Sequence, residues 1–424
     1  MKRYFLLIAV LCSFATAQAQ FDSLFFNKSL RIDYTHAGTF DTEWFALDKL
    51  IEEPFWAGST SHLIDSFAYG EYCVRVFDAE RKQLLYSHGY SSLFGEWQTT
   101  AEAKQVARSF SETVLIPFPK KPVVISLFSR SHDGIFEEKF TYQIDPKSYF
   151  IRPSKPGQIS VFDISADHPS VNAVDIVILG DGYTAAEQGD FIADCQGFNE
   201  KMFAFEPFKY YQDKFNIRAV MIPSMESGAT IPANGEWPAT ALSSSYYTFD
   251  SERYCMTYDN KSVRDYAGLV PYDQIYILVN SSKYGGGGIY NFYSLSASKN
   301  KLSGEIIVHE FGHGFAGLGD EYYDSSTSYD DFYNLNIEPW EPNLTTLVNF
   351  DSKWKQLIDK QTPIPTPDTK EFAESMGAFE GGGYVNKGMF RPKSDCLMKS
   401  FKGHTFCAAC EEAIVKMIRF YCDE

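Results

Sequence analysis

The sequence predicts an all-β sandwich domain followed by an α/β (α+β) domain. Its 424 residues exceed the roughly 250–300 that one hydrophobic core usually serves, which indicates two domains. Up to about residue 145 the dominant pattern is the alternation of apolar and polar residues that is typical of strands. From about residue 172, short apolar runs alternate with stretches of helical period, as in α/β domains.

The first nineteen residues have the three parts of a signal peptide. A basic start at 1–3 precedes an apolar run at 5–11, and Ala17-Gln18-Ala19 fits the small-x-small cleavage pattern. We therefore expect residues 1–19 to be removed and the mature chain to be exported to the periplasm, the cell surface or the medium. No later run approaches the ~20 consecutive apolar residues of a membrane helix, so we expect no integral membrane segment.

The composition restricts the classes of partner. An apolar fraction of 44% is ample for hydrophobic cores and disfavours disorder. The formal net charge of −17 argues against nucleic acids and anionic membranes, because both are themselves negatively charged. The charge excludes these partners, but it does not indicate a reaction.

The first domain is expected to span residues 20–150, as an antiparallel sandwich. Strands are predicted in it at Tyr72–Val76, Pro122–Phe128 and Phe140–Ile144. No polar constellation in this half of the chain suggests chemistry. Residues 151–170, which contain several prolines, are predicted to be a linker to the second domain, residues 171–424.

The second domain is predicted to alternate strands with helices. Strands are expected at Val174–Leu179, Ile217–Ile222 and Ile275–Val279, with a helix at Glu187–Phe205. Ile289–Ala297 follows a glycine-rich stretch and is expected to be an edge strand, which either binds substrate by strand addition or is a plain part of the sheet. A further helix should start near Gly304, capped by Ser303, and stop at Gly317.

This last helix contains the string His309-Glu310-Phe311-Gly312-His313. Residues four apart on a helix lie about 40° apart around its axis, so both imidazoles can converge on one ion. Zinc suits this pair, because imidazole nitrogen is one of its preferred ligands. Glu310 lies beside the metal position, where its carboxylate can accept a proton from the attacking water.

A catalytic zinc usually has three protein ligands and one open position. The chain turns at Gly317 and can bring a carboxylate back to the metal, and we expect Asp320 to be that ligand. The resulting string, Gly317-Leu318-Gly319-Asp320-Glu321-Tyr322, resembles the ending of the zinc motif in some metzincin peptidases. Three residues separate His313 from Gly317, where the usual metzincin pattern has two, so Glu321 is the alternative ligand.

Two further segments extend the resemblance. Met398, in Ser394-Asp395-Cys396-Leu397-Met398, matches the methionine turn beneath the metal of metzincins. The chain is also similar to the bacterial immunoglobulin-A peptidase family, in Ile178–Thr184, the histidine motif, Cys396-Leu397-Met398 and Phe406–Cys410. This resemblance covers residues from about 170 onward, and the preceding β domain resembles the usual N-terminal domain of that family. It implies one catalytic zinc ion and endopeptidase activity, but not that immunoglobulin A is the substrate.

The cysteines cluster near the C-terminus. Removal of the signal peptide leaves seven, an odd number, and four of them lie within the last thirty residues, namely Cys396, Cys407, Cys410 and Cys422. Cys407-x-x-Cys410 alone could be a redox pair or half of a structural zinc site. We expect instead a disulfide from Cys396 to Cys407 or Cys410, and the pattern does not choose between them.

The remaining candidates are weaker. Tyr322, Tyr323 and His404 are candidate hydrogen-bond donors to an oxyanion, although a structural role is favoured for each. Calcium would need Asp324, Asp330 and Asp331, which lack the spacing of a known calcium loop, so a solvated surface is expected there. The stretch from Ser325 to Lys393, with Trp340 and Trp354, is expected to form a cleft wall.

These observations together predict an exported zinc endopeptidase that acts on extracytoplasmic proteins or peptides. Two other functions fit parts of the same pattern. The chain could be an inactive protein- or glycan-binding module on a peptidase fold, which the intact Glu310 argues against. It could also be a zinc amidase acting on cell-wall peptides, which would use the same metal chemistry.

Overall fold

The computed structural model describes residues 20–155, 157, 159–323 and 333–422. The predicted signal peptide, residues 1–19, lies outside the described residues. So do Asp324, Asp330 and Asp331, the carboxylates weighed for calcium.

The first domain is an all-β sandwich, as predicted. Its described strands and short helix are, in chain order, β1 (Phe25–Gly38), β2 (Glu43–Glu53), β3 (Tyr72–Asp78), β4 (Leu84–Tyr90), α1 (Leu93–Gln98), β5 (Arg108–Pro119), β6 (Val123–Arg130), β7 (Phe136–Ile144) and β8 (Ile151–Pro153). One sheet has the order β5-β1-β2-β8 and the other β4-β3-β6-β7. Alternate residues of both sheets, such as Ile32 and Val76, are fully buried between them.

The second domain contains a six-stranded mixed sheet with helices. Its described elements are β9 (Ser160–Ser165), β10 (Val174–Asp181), α2 (Gln188–Met202), β11 (Phe215–Met221), α3 (Asn260–Ala267), β12 (Gln274–Val279), β13 (Gly286–Ile289), β14 (Tyr293–Ala297), α4 (Ser303–Ala316), β15 (Phe379–Gly382), β16 (Val385–Arg391) and α5 (Ala408–Tyr421). The sheet order is β13-β14-β12-β10-β11-β9. Strands β10, β11, β12 and β14 are parallel, and the outer strands β9 and β13 are antiparallel to their neighbours.

Both faces of this sheet are buried, which explains why its central strand reads as a continuous apolar run. Ile176 and Ile178 of β10 face α2, α4 and α5. Val177 and Leu179 face the other way, toward α3 and the helix α1 of the first domain, where Trp97 is fully buried. The two domains therefore share the hydrophobic core on this face of the sheet.

Residues 151–170, expected to be a linker, carry one strand for each domain. Strand β8 pairs with β2 of the sandwich, and β9 pairs with β11 of the second sheet. The prolines mark the passage between the two sheets, but the segment on either side of them is held by sheet hydrogen bonds.

Within the described ranges, each helix is too short or too polar to cross a membrane.

The predicted edge strand Ile289–Ala297 is not one strand, and this prediction was wrong. The glycine-rich segment forms the edge strand β13, and Tyr293–Ala297 is the adjacent β14, paired on both sides. The glycines permit a close approach to helix α4, since a side-chain carbon added to Gly288 would lie 2.2 Å from the backbone oxygen of Glu310. These glycines therefore permit close packing, whereas the sequence alone suggests a flexible segment.

Candidate active site and metal centre

Helix α4 positions the histidine motif. It runs from Ser303 to Ala316, so Ser303 is its first residue and not its cap, and its hydroxyl accepts a hydrogen bond from Lys201. The helix ends at Gly317, whose φ of 64° is the left-handed conformation that glycine adopts without strain. This turn sends the chain back across the end of the helix toward the two imidazoles.

The two imidazoles converge as the sequence predicts. Nε2 of His309 lies 3.2 Å from Nε2 of His313. The Nδ1 atom of His309 donates to the carbonyl of Leu397 at 3.1 Å, and that of His313 donates to the carbonyl of Leu318. In the neutral imidazole the proton is then on Nδ1, which leaves Nε2 with the lone pair that metal ligation requires.

Asp320 completes a set of three ligand atoms. Its Oδ1 atom lies 3.2 Å from Nε2 of His309 and 3.4 Å from Nε2 of His313. Ligands held about 2.0–2.1 Å from a tetrahedral zinc ion are about 3.3 Å apart, so these three atoms have the spacing that such an ion needs. The donor set therefore fits a divalent metal, with a fourth position open to the cleft.

Glu321, the alternative ligand, points elsewhere. Its side chain is fully buried, and Oε1 accepts a hydrogen bond from Asn343 at 3.0 Å and lies 3.3 Å from the sulphur of Cys410. The structure thus brings Asp320, and not Glu321, to the histidines.

The charges of the site attract a cation. Burial alone would lower the pKa of His313, but the carboxylate of Asp320 raises it to about 9. Although burial opposes it, the charge of His313 in turn holds the pKa of Asp320 well below its usual range. A buried carboxylate thus stabilises positive charge at the point where the imidazoles meet, and a divalent ion would supply that charge without a proton.

Glu310 lies beside the ligand atoms. One of its carboxylate oxygens is within 4.8 Å of a ring nitrogen of each histidine, and the side chain lines the cleft. Burial raises the pKa of Glu310 above its ordinary value, while the nearby histidines oppose the shift. A carboxylate whose basicity is raised in this way is suited to accept a proton near neutral pH.

Met398 lies beneath helix α4, where a methionine turn would be. It is fully buried, and a side-chain carbon added to Gly312 would lie 3.3 Å from its sulphur. Its carbonyl accepts a hydrogen bond from the amide of Glu321 at 2.9 Å. With the Leu397–His309 hydrogen bond, this turn holds both the imidazole of His309 and the loop that carries Asp320.

A cleft passes in front of these residues, and the first domain contributes to its wall. Glu71, Ser91 and Glu96 line it together with residues of the second domain. Burial raises the pKa of Glu71 to about 8 and that of Glu96 to about 7. The hydroxyl of Tyr254 donates to Glu96 across the domain junction. The first domain thus brings polar groups to the cleft, and the prediction that it carries no constellation suggesting chemistry stays a prediction.

The three candidate oxyanion donors, for which a structural role was favoured, are not brought together. Tyr322 lines the cleft, but Tyr323 does not and packs against the guanidinium of Arg391, whose carbon lies 5.4 Å from the ring centre. His404 is exposed and lies 2.9 Å from Glu305, on the first turn of helix α4.

Of the two tryptophans predicted to lie in a cleft wall, one does so. Trp340 lines the cleft, and its ring centre is 5.8 Å from that of Tyr290. Trp354 is buried and donates to the carbonyl of Gly377 at 2.7 Å, so its role is structural.

Two cleft residues were missed by sequence reasoning. The hydroxyl of Tyr384 donates to Oδ2 of Asp320 and thereby orients the carboxylate. Arg253 lies over the ring of Tyr322, 5.1 Å from its centre. Tyr384 follows three glycines in the hairpin of β15 and β16, which was the available signal, but that pattern marks any tight turn.

The expected disulfide is not present. None of the seven cysteines among the described residues forms a disulfide, and the sulphur of Cys410 lies 3.8 Å from that of Cys396 and 3.6 Å from that of Cys407. A disulfide bond is about 2.05 Å long. The three sulphurs meet around a common centre instead of joining as a pair.

Comparison with known proteins places the chain in a family. The profile described as IgA Peptidase M64 matches residues 162–374 and 368–418, and a profile described as Peptidase M64 N-terminus matches residues 20–141. No match was found among curated proteins. The first profile spans more than half of the chain and contains the histidine motif, Asp320 and Met398. The protein therefore belongs to the IgA peptidase M64 family of metallopeptidases.

Proposed function

We propose that this protein is a zinc-dependent endopeptidase that hydrolyses proteins or peptides outside the cytoplasm. His309, His313 and Asp320 hold the metal, and Glu310 is the general base. The observation that carries the proposal is the convergence of two imidazole lone pairs and one carboxylate oxygen, with separations of 3.2–3.4 Å, beside a second carboxylate in an open cleft.

The residues of the site divide the reaction between them. Zinc, when bound, polarises the scissile carbonyl and makes water a better nucleophile. Glu310 accepts the proton of the attacking water and then delivers it to the leaving amine. Leu397 and Leu318 fix the tautomers of the histidines, and Tyr384 fixes Asp320.

Two further properties belong to this proposal. Export rests on the signal-peptide pattern of residues 1–19. A metzincin-like catalytic fold is supported by the antiparallel edge strand β13 beside the cleft, the Gly317 turn before Asp320, and Met398 beneath the helix.

Substitution of Glu310 tests the proposal. Glu310→Gln should keep the metal and lower turnover by at least ~100-fold, because an amide cannot accept the proton. The measurement is the appearance of new peptide termini by mass spectrometry in a protein digest, together with elemental analysis. Glu305→Gln, on the same helix but outside the cleft, is the matched control and should cleave normally.

Near-normal turnover of Glu310→Gln would show that Glu310 is not the base, and loss of metal would show that its role is structural. Cell-wall peptides assayed in parallel distinguish an amidase from an endopeptidase. A wild-type protein that binds zinc but cleaves neither would favour the binding-module alternative.

A further inference from the structure

A second group of metal-ligating side chains lies behind the catalytic site. Cys396, Cys407, Cys410 and Glu321 are all buried, and one ligand atom from each lies within 4.8 Å of the others. No hydrogen-bond partner among the described residues reaches Oε2 of Glu321. A buried polar atom of this kind requires an explanation, and an ion is one.

The spacing of these atoms is that of a tetrahedral zinc site. Thiolates bound at about 2.3 Å to a tetrahedral zinc ion are about 3.8 Å apart. The observed sulphur separations are 3.8 Å for Cys396 with Cys410 and 3.6 Å for Cys407 with Cys410. Oε1 of Glu321 lies 3.3 Å from the sulphur of Cys410, which suits the shorter bond of an oxygen ligand.

The local backbone favours thiolates. The amide of Cys407 donates to the sulphur of Cys396 at 3.3 Å. Cys407 is the N-cap of helix α5 and Cys410 lies in its first turn, where the helix dipole stabilises negative charge. A disulfide between any two of the cysteines would leave Oε2 of Glu321 buried without a hydrogen-bond partner among the described residues.

We propose that Cys396, Cys407, Cys410 and Glu321 bind a second, structural zinc ion. Four protein ligands leave no open position, so the site is closed to substrate, as structural zinc sites are. The inference does not depend on the proposed function, because the two sites share no ligand.

The second ion would stabilise the catalytic site from below. Glu321 is adjacent to Asp320, and its amide donates to the carbonyl of Met398. Cys396 precedes Leu397, whose carbonyl holds the tautomer of His309. The bound ion would thus join helix α5, the methionine turn and the Asp320 loop.

Metal stoichiometry tests the proposal. The purified full chain should hold two zinc ions, and both Cys410→Ser and His309→Ala/His313→Ala should hold one. Cobalt substitution distinguishes the sites, because thiolate ligation gives an intense near-ultraviolet charge-transfer absorption. This absorption should persist in the double histidine variant and be lost in Cys410→Ser. Cys422→Ser is the matched control and should keep both ions, because its hydroxyl can still donate to the carbonyl of Lys214.

Two outcomes would overturn the proposal. The first is a double histidine variant that is folded by circular dichroism but binds no metal. The second is a thiol titration, in denaturant with a chelator, that finds fewer thiols than the seven cysteines among the described residues. If Cys410→Ser does not fold, the double histidine variant alone decides the question.

Discussion

Asp320 and Tyr384 show how a single candidate ligand is held in place. Both oxygens of the Asp320 carboxylate are engaged, because Oδ1 faces the two imidazoles and Oδ2 accepts from the hydroxyl of Tyr384. An anionic oxygen also offsets part of the charge of the ion, which a replacing water does poorly. In the proposed function the carboxylate is therefore a ligand, and the phenol orients it.

This division of roles predicts unequal effects of substitution. Asp320→Ala should abolish reconstitution of activity at zinc concentrations that saturate the wild type. Tyr384→Phe should lower the apparent zinc affinity only by about 10–100-fold, as is usual for a group that orients a ligand. The measurement is activity against free zinc, set by a competing chelator. A larger effect of Tyr384→Phe than of Asp320→Ala would contradict the ligand assignment.

The site residues that could be predicted from the sequence are those close together in the chain. His309, Glu310 and His313 follow from helical spacing, and Asp320 follows from the turn at Gly317. Tyr384 lies 64 residues beyond Asp320, and only the folded chain brings the two together. Long-range pairing of this kind leaves no periodic trace in a sequence.

At the scale of elements, the turn after helix α4 sets the position of the Asp320 loop. A side-chain carbon on Gly317 would lie 2.9 Å from the ring of Trp340, and the left-handed φ of 64° would itself be strained. We expect Gly317→Ala to lower the free energy of unfolding by about 1–2 kcal/mol or more.

Gly197→Ala is the matched control, measured by the same urea denaturation. Gly197 lies inside helix α2, and an added carbon would meet no atom within 4 Å. Alanine there should raise stability by about 0.5–1 kcal/mol, because glycine is a poor helix former. Equal effects of the two substitutions would show that the conformation of Gly317 is not the cause.

Elements with a regular period were predicted well, and the irregular ones were not. The structure places the predicted strands Val174–Leu179 and Ile275–Val279 within β10 and β12. Both strands are buried on each face, so each has the continuous apolar run from which a strand is predicted. The glycines of β13 carry no side chains and hence no pattern, although they form a strand that packs closely against helix α4. The sequence predicts a disulfide among the cysteines because it does not show that Glu321 lies beside them in the folded chain.

At the scale of the whole molecule, the sandwich domain packs into the core of the second domain. Trp97 enters the core beneath the second sheet, and the guanidinium of Arg31 lies 2.8 Å from Asp33 in the sandwich and 2.7 Å from Asp265 in helix α3. Glu71 and Glu96 then reach the cleft from the same side. Such cross-domain contacts join residues far apart in the sequence, so local patterns could not predict them.

The protonation of Glu71 makes the stability of this domain junction depend on pH. Burial first, and then the negative charges of Glu96, Glu341 and Glu112, raise its pKa to about 8, and only Arg130 opposes them. Oε2 of Glu71 has no hydrogen-bond partner among the described residues. In the unfolded chain the same group has a pKa of about 4.5, so between these two values the folded protein binds a proton that the unfolded chain releases.

The stability contributed by this proton is present below about pH 4.5 and is lost as the pH rises toward 8. Glu71→Gln, which is uncharged throughout, should therefore exceed the wild type in free energy of unfolding at pH 8, by about 1–3 kcal/mol. At pH 5 the two proteins should differ much less. Urea denaturation at pH 5, 6, 7 and 8 measures the difference, and Glu200→Gln on the exposed face of helix α2 is the control. Parallel stability profiles for the wild type and Glu71→Gln would mean that Glu71 is already ionised in the folded protein, with a cation at the junction to hold it.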